Sequence, residues 1–206
     1  MTLLTTHTQR YSDWAERVEV AHQASIRLGK PWLELPLSRG KVTKLDLADL
    51  ERVLAAGPWR VNFGSNFRAA RTIRKDGKKT TELLSRFLMN PTEGEEVDHA
   101  NHDTLDDRRQ NLRCCTHSEN MANMRKFSGT SRYKGVSCHG NRWQAKIRVN
   151  RKQIHLGRFD TQEQAALIYN DAARAHFGEF AHLNSVGGRH RLLERVEGLV
   201  SGPGRG

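Results

Sequence analysis

Residues 97–120 constrain the fold of this chain more than any other segment. Val97-Asp98-His99 reads as the end of a strand, and Asn111–Cys115 reads as a second short strand. Thr116-x-x-Glu119 is the signature of a capping box, so a helix is expected to begin at about that point. A hairpin packed on such a helix places Asn120, in the first helical turn, across from Asp98-His99. The segment therefore predicts a β-β-α unit that gathers polar side chains on one side.

The residue types at these positions suit the hydrolysis of a phosphodiester. A neutral histidine can take a proton from water near pH 7, which makes His99 the candidate general base. Asp98 and Asn120 offer hard oxygen ligands, which suit one Mg²⁺ or Mn²⁺ ion. Asn111 is expected to brace the loop between the two strands through its side-chain amide. Any one of these residues alone would ordinarily be a solvated loop residue, so it is their joint spacing that favours a nuclease site.

Positive charge is concentrated behind this segment. The chain has 206 residues and a formal net charge of +11, and no Asp or Glu occurs between Asn120 and Phe159. That stretch is rich in Lys and Arg, so a polyanion is its expected partner. The alternative is a solubilising face, although such faces usually mix both signs of charge.

Composition excludes several other classes of protein. No run of about 18 apolar residues is present, so no transmembrane helix is expected. The first 30 residues lack the apolar centre of a secretory signal. The chain has three cysteines, two of them adjacent and none in a C-x-x-C pair, which favours reduced thiols over disulfides or structural zinc. We therefore expect a cytoplasmic protein that does not bind membranes.

The sequence divides into successive segments at composition shifts and turn signals. Residues 11–28 have helical periodicity, Asp46 is placed as an N-cap, and Asp76-Gly77 is placed as the turn of a hairpin. The predicted boundaries are as follows: an N-terminal helical extension at 1–30, a nuclease domain at 31–126, a linker at 127–131, a DNA-binding domain at 132–185 and a glycine-rich tail at 186–206.

The region after the linker predicts three strands and a helix. The strands are placed at 133–137, 143–149 and 153–159, and a second capping box at Thr161-x-x-Gln164 opens the helix. Alternation along the strands separates an apolar face, expected to pack on the helix, from a basic and hydrogen-bonding face. A sheet of this width can enter the major groove of DNA. The candidate DNA contacts on this region are Lys134, Arg142, Lys146, Arg148, Gln153 and His155.

The run from Val97 to Arg113, followed by Thr116 to Asn120, resembles the HNH endonucleases of phages and mobile introns. These enzymes belong to the ββα-metal, or His-Me finger, nucleases, and the resemblance covers roughly residues 40–126. It implies His99 as general base, Asp98 and Asn120 as metal ligands, and Asn111 as the structural middle residue.

The chain departs from the pattern of that family at three positions. His102 stands where the family usually has Gly, Asp107 where it usually has Asn, and Ser85 where it commonly has His. None of these departures removes a proposed base or ligand.

The second half of the chain is similar to the plant ethylene-response-factor type of DNA-binding domain, the Apetala family. The similarity spans about residues 130–185 and rests on Tyr133-Lys134-Gly135-Val136, Trp143–Arg148, Leu156–Thr161 and the helix that follows. The six candidate DNA contacts fall where that family contacts DNA, and homing-type HNH nucleases often carry this domain behind the nuclease. Its base preference does not carry over, because the residues near 137, 153 and 155 differ.

Together these observations predict an α+β protein, in which a ββα-metal nuclease finger precedes a three-stranded antiparallel sheet packed on one helix. The predicted function is a site-directed, Mg²⁺-dependent endonuclease of double-stranded DNA, of the phage or mobile-intron homing type, that nicks one strand. If the chain is phage-encoded, it acts in a bacterial host cell. We expect a monomer and leave a dimer open. Two alternatives remain: a non-catalytic DNA-binding regulator with a degenerate finger, and an RNA-binding protein.

Overall fold

The computed structural model describes residues 2–64, 66–125 and 128–187, with side chains from residue 11 onward. The chain splits into two compact units, residues 1–124 and 125–206, and each is described by itself. The glycine-rich tail predicted from residue 186 lies outside the described residues from 188 onward. Within the described parts, no helix combines the length and the apolar character needed to cross a membrane.

The first unit mixes short helices with antiparallel strands. Among its described residues three sheets form: β1 pairs with β2, β4 pairs with both β3 and β5, and β6 pairs with β7. Its elements, in chain order, are α1 (Thr2–Arg27), β1 (Trp32–Pro36), β2 (Val42–Asp46), α2 (Leu50–Ala55), β3 (Arg60–Asn62), β4 (Arg68–Lys75), β5 (Lys78–Leu83), α3 (Leu84–Met89), β6 (Glu96–His99), β7 (Leu112–Cys115) and α4 (His117–Asn123).

One apolar core joins the N-terminal helix to the rest of this unit. Trp14 and Val18 of α1 are buried in the same cluster as Leu33 and Leu35 of β1. The indole nitrogen of Trp14 also donates to the carbonyl oxygen of Pro36 at 2.8 Å. Helix α1 is therefore packed into the first unit through its apolar stripe.

Two turn expectations in this unit had different outcomes. The hairpin at Asp76-Gly77 is confirmed, and both residues adopt positive φ angles, of 50° and 74°, as its tight turn requires. Asp46 occupies the expected N-cap position, at the start of a short 3-10 helix (Leu47–Asp49) that leads into α2, but its side chain makes no capping hydrogen bond. Instead, a carboxylate oxygen of Asp46 accepts from the backbone N–H of Arg109 at 2.8 Å. The Asp46 carboxylate, which the local pattern assigned to capping the helix, therefore binds the loop that precedes β7.

Strands β6 and β7 form the predicted hairpin and are followed directly by α4. Their register pairs Asp98 with Arg113 and His99 with Leu112. The capping box at Thr116 is confirmed, because the Thr116 hydroxyl accepts from the Glu119 N–H and the Glu119 carboxylate accepts from the Thr116 N–H. Local signals therefore determine where α4 begins and which of its residues face the hairpin.

The second unit is a three-stranded antiparallel sheet with one long helix. Its elements are β8 (Val136–His139), β9 (Arg142–Val149), β10 (Lys152–Phe159) and α5 (Gln162–Phe177), and the strand order is β10-β9-β8. The second capping box, at Thr161, is confirmed. With the first unit, this arrangement confirms the expected α+β class.

Two details of the second sheet differ from the sequence expectation. The first strand begins at Val136 rather than Tyr133, because Gly135 has a φ of 73° and turns the chain. A β-bulge between His155 and Gly157 interrupts the alternation of β10. Alternation along β10 assigns Ile154 to the apolar face that was predicted to pack on the helix, yet this residue is 37% exposed.

Candidate active site and nucleic-acid interface

The hairpin delivers Asp98 and His99 to its end as buried polar residues. Their side chains are only 6% and 5% exposed. Buried ionisable groups need partners, and both residues have them. The Nε2 atom of His99 lies 3.2 Å from the Oδ1 atom of Asp107, which is itself buried in the loop between β6 and β7.

Asp98 is held by donors from two directions. Arg113, its neighbour across the hairpin, donates from Nε and Nη2 to Oδ2 at 2.9 and 2.7 Å. The Nδ2 atom of Asn123 donates to Oδ1 at 3.0 Å and to Oδ2 at 2.9 Å. The same nitrogen also lies 3.2 Å from the carbonyl oxygen of His99. Asn123 thus ties the last turn of α4 to both residues of the Asp98-His99 pair.

Asn120, the predicted amide ligand, lies on the same face of α4 as Asn123, but it contacts the carboxylate of Glu96 rather than that of Asp98. Its Nδ2 atom donates to the Glu96 side chain, and this hydrogen bond, followed by the contact with His117, lowers the pKa of Glu96. Glu96 and Asp98 alternate along β6 and therefore share one face of the hairpin. Because Asn120 is anchored through its nitrogen, its amide oxygen is the atom suited to a metal ion.

Asn111 bridges the two ends of the long loop. Its Nδ2 atom donates to the carbonyl oxygen of Asp106 at 2.8 Å, and its Oδ1 atom accepts from the N–H of Asn101 at 3.0 Å. The backbone N–H of Ala100 also donates to the Asn111 carbonyl at 2.9 Å. The loop that carries Asp107 is thereby tied to the residue that follows His99.

The loop also explains how the chain accommodates His102. This residue has a φ of 66°, in the left-handed region, where a glycine would be unstrained. Asp106, which is fully buried, is paired with Arg108 at 2.7 Å, and the guanidinium lowers the pKa of that carboxyl. The loop that contains His102 is therefore also held by a buried ion pair.

In the part of the chain that the structure describes, no group of three or more His, Cys, Asp and Glu residues is arranged to hold a metal ion. On the face of the hairpin that meets α4, the candidate site instead offers the buried carboxylate of Asp98 and the amide oxygen of Asn120. Such all-oxygen donors fit a hard divalent cation that keeps several water ligands, and they do not fit zinc.

Sequence reasoning did not assign functional roles to Asn123, Asp107, Arg113 and Glu96. The spacing of Asn120 and Asn123 places them on one face of a helix, which could have indicated the second asparagine. Arg113 lies opposite Asp98 only through the register of the hairpin, and no local signal reveals that pairing. For Asp107, the presence of Asp where the family usually has Asn is the sequence feature that could have indicated its contact with His99.

The second unit presents basic and polar side chains on its sheet. Cross-strand pairing sets Arg148 opposite Gln153 and Lys146 opposite His155. Arg142, Arg148, Gln153 and His155 are exposed, whereas Lys146 is half-buried. Directly opposed residues share one face, so β9 and β10 together form a continuous surface that can donate hydrogen bonds to a polyanion.

Lys134 differs from the other candidate DNA contacts. It is half-buried, and burial lowers the pKa of its ammonium to about 8. Its backbone is fixed by Asn184, whose side chain accepts from the Lys134 N–H at 2.6 Å and donates to its carbonyl at 3.0 Å. The charge of Lys134 is therefore less available to a phosphate than that of Arg148.

Comparison with known proteins finds two similarities, one to HNH endonucleases and one to AP2-type transcription factors. The family model for HNH endonucleases matches residues 90–122, the span that contains the hairpin and most of α4. The chain carries an HNH endonuclease domain, and its C-terminal region is in part homologous to AP2-type ethylene-responsive transcription factors.

Individual relatives cover only parts of the chain. An uncharacterised HNH endonuclease of Acanthamoeba polyphaga mimivirus is 37% identical over 91 residues, which is 44% of this chain and 47% of that protein. The ethylene-responsive transcription factor WRI1 of Arabidopsis thaliana is 40% identical over 78 residues, covering 34% of this chain and 18% of that factor. The AP2-like factor CRL5 of Oryza sativa subsp. japonica is 40% identical over 86 residues, covering 37% of this chain and 13% of that factor. The chain thus spans less than half the length of each of these relatives.

The HNH match makes hydrolysis of nucleic acid the activity to test for this chain, and the AP2-like similarity makes DNA the partner to test. HNH nucleases generally use a divalent metal ion.

Proposed function

We propose that this protein is a Mg²⁺-dependent endonuclease of double-stranded DNA, in which a ββα-metal finger cuts and the AP2-like unit selects the target. The observation that carries the proposal is the buried cluster at the end of the β6–β7 hairpin. There the side chains of Asp98 and His99 are buried next to each other in the chain, and the Asn123 carboxamide of α4 bonds both the Asp98 carboxylate and the His99 carbonyl. Burying a carboxylate and an imidazole costs stability, which favours a functional role for the pair.

The residues divide the work of hydrolysis. His99 accepts a proton from the attacking water, since its ring is fixed on the side of Nε2 and Nδ1 is left for the water. Asp98 and the amide oxygen of Asn120 are the proposed ligands of one Mg²⁺ or Mn²⁺ ion. Asn123 holds Asp98 and the His99 backbone in place, and Asn111 braces the loop. A bound divalent cation supplies charge neutralisation at the scissile phosphate and stabilises the leaving 3′ oxygen.

The second unit supplies affinity for duplex DNA. Its exposed basic residues, such as Arg142 and Arg148, contact phosphates, and base-edge contacts from the same sheet provide sequence preference. Gln153 and His155 are the proposed polar contacts beside them. Because one chain carries one proposed active site, we expect it to nick one strand. We place it with the phage or mobile-intron homing type of HNH enzyme.

The direct test uses supercoiled plasmid that carries a tightly bound site, selected by its affinity for the protein from a random duplex library, and the ends of any cleaved products are then mapped. With Mg²⁺, wild-type protein is expected to convert supercoiled DNA to the open-circular form, and EDTA or His99→Ala to prevent it. Absence of nicking by wild type, with tight binding retained, would favour the alternative of a non-catalytic DNA-binding regulator. Equal nicking by His99→Ala would remove His99 from the mechanism.

A further inference from the structure

The contact between Asp107 and His99 belongs to a longer buried chain of hydrogen bonds. The Oδ1 atom of Asp107 faces His99, and its Oδ2 atom lies 2.6 Å from the Thr43 hydroxyl, which also lies 2.9 Å from the carbonyl oxygen of Leu105 in the same loop. All three side chains are nearly inaccessible, with exposures of 2% for Asp107, 5% for His99 and 0% for Thr43. Each oxygen of the carboxylate therefore has a specific partner away from solvent.

Strand β2 fixes the backbone of this loop as well as its side chain. The N–H of Asp107 donates to the carbonyl of Lys44 at 2.9 Å, and the N–H of Lys44 donates to the carbonyl of Leu105 at 2.9 Å. These two bonds form a short parallel bridge between β2 and the loop. Asp107 is consequently held on both sides, and its distance to His99 is set by an element outside the matched HNH segment.

A carboxylate beside an imidazole determines which ring nitrogen carries the proton. An ionised carboxylate only accepts hydrogen bonds, so Nε2 of His99 must be the N–H that faces Asp107. Nδ1 then keeps its lone pair and can accept a proton from water. We infer that Asp107, held by Thr43, is a positioning residue that fixes the tautomer and orientation of His99 for proton transfer, an inference that rests on the proposed nuclease function.

As a positioning residue, Asp107 should affect the rate of nicking only through its contact with His99. A general base contributes about 10²- to 10⁴-fold to a rate, and this contribution is the most that its positioning residue can remove. We expect Asp107→Leu, which keeps the volume but offers no acceptor, to lower the single-turnover nicking rate about 100-fold. Asp107→Asn retains an acceptor oxygen and is expected to restore the rate to within about tenfold of wild type.

A double-mutant cycle separates positioning from a general loss of structure. Rates are measured with protein in excess over plasmid at saturating Mg²⁺, and DNA binding is measured in parallel. In the His99→Ala background, Asp107→Leu is expected to cause no further fall in rate. Thr43→Val is expected to reduce the rate and Thr43→Ser to retain it, which tests the same chain of bonds without altering Asp107.

The outcomes are distinguishable from failure of the proposed function. If wild type does not nick, or His99→Ala nicks equally well, the nuclease proposal fails. If wild type nicks and His99→Ala does not, then wild-type rates for both Asp107→Leu and Thr43→Val overturn the inference alone. Additive losses from Asp107→Leu and His99→Ala, or an Asp107→Asn rate as low as that of Asp107→Leu, would also overturn it. Should Asp107→Leu fail to fold, the comparison of Thr43→Val with Thr43→Ser decides the question.

Discussion

Asn120 and Asn123 should respond differently to replacement by alanine, although they lie one turn apart on the same face of α4. Asn123 is 5% exposed and acts through its nitrogen, which bonds both Asp98 oxygens and the His99 carbonyl. Asn123→Ala therefore leaves Asp98 with Arg113 as its remaining named donor. We expect it to disturb both residues of the Asp98-His99 pair at once.

The size of the Asn123 effect follows from these bonds. Hydrogen bonds to charged groups contribute about 1.5–3 kcal/mol, so the first unit should lose stability of that order. The rate of nicking should fall at every Mg²⁺ concentration, because the base and the carboxylate are both displaced. Adding more Mg²⁺ should not restore the wild-type rate.

Asn120→Ala removes the proposed oxygen ligand and leaves the contacts of Asp98 in place. Losing a ligand or its anchor typically weakens metal binding about 10- to 100-fold. The Mg²⁺ concentration for half-maximal nicking should therefore rise by about that factor, with the rate recovering at saturation. The assay is a Mg²⁺ titration of single-turnover nicking for wild type and both variants, with circular dichroism to verify folding.

The opposite pattern would refute this division of roles. If Asn123→Ala shifts only the Mg²⁺ requirement and Asn120→Ala leaves it unchanged, Asn123 is the ligand and Asn120 only anchors Glu96. Gln23→Ala, on the exposed surface of α1, is the matched carboxamide control and should behave as wild type.

Three further predictions concern the second unit. Arg148→Ala should reduce the slope of log affinity against log salt by about one unit, measured by fluorescence anisotropy with duplex DNA, and an unchanged slope would remove Arg148 from the phosphate contacts. Lys134→Met should raise the thermal midpoint at pH 7, because the folded-state pKa of about 8 means that a charged ammonium is disfavoured there. The increase in thermal midpoint should diminish as pH rises from about 8 towards 10.5, the pKa of lysine in the unfolded chain. An increase that is constant with pH would show that burial does not lower the pKa of Lys134. Gly135→Ala should disrupt this unit, since its Cβ would lie 2.0 Å from the Tyr169 ring at a φ of 73°, and a wild-type melting curve would contradict this packing.

Local signals were sufficient to predict the hairpin, the helices that follow capping boxes and the turn at Asp76-Gly77. Each of these depends on residues within a few positions of one another, and their chemistry is readable from the chain. The hydrogen bond from Arg109 to Asp46 joins residues 63 positions apart, so the local pattern gave the N-cap position of Asp46 but not the partner of its side chain.

In the candidate site, too, the residues that share a local motif could be predicted, whereas the long-range contacts between them and the rest of the unit could not. The sequence placed Asp98, His99 and Asn111 in one region because their spacing resembles a known motif. It could not reveal that Asn123 bonds Asp98 or that Thr43 bonds Asp107, a separation of 64 residues. Such contacts depend on how β2, the loop and α4 pack, and that packing is set by the apolar core rather than by the motif.

The hydrogen bonds between β2 and the loop that joins β6 to β7 bear on whether the HNH motif can be transferred alone to another protein. A fragment spanning residues 90–122 includes Asp98, His99 and Asp107 but omits Thr43 and Lys44. Such a fragment, grafted into another protein, would retain the motif and lose the hydrogen bonds from Thr43 and Lys44 that hold Asp107 beside His99. The structural unit that fixes the position of Asp107 therefore includes the β1–β2 hairpin and is larger than the matched motif.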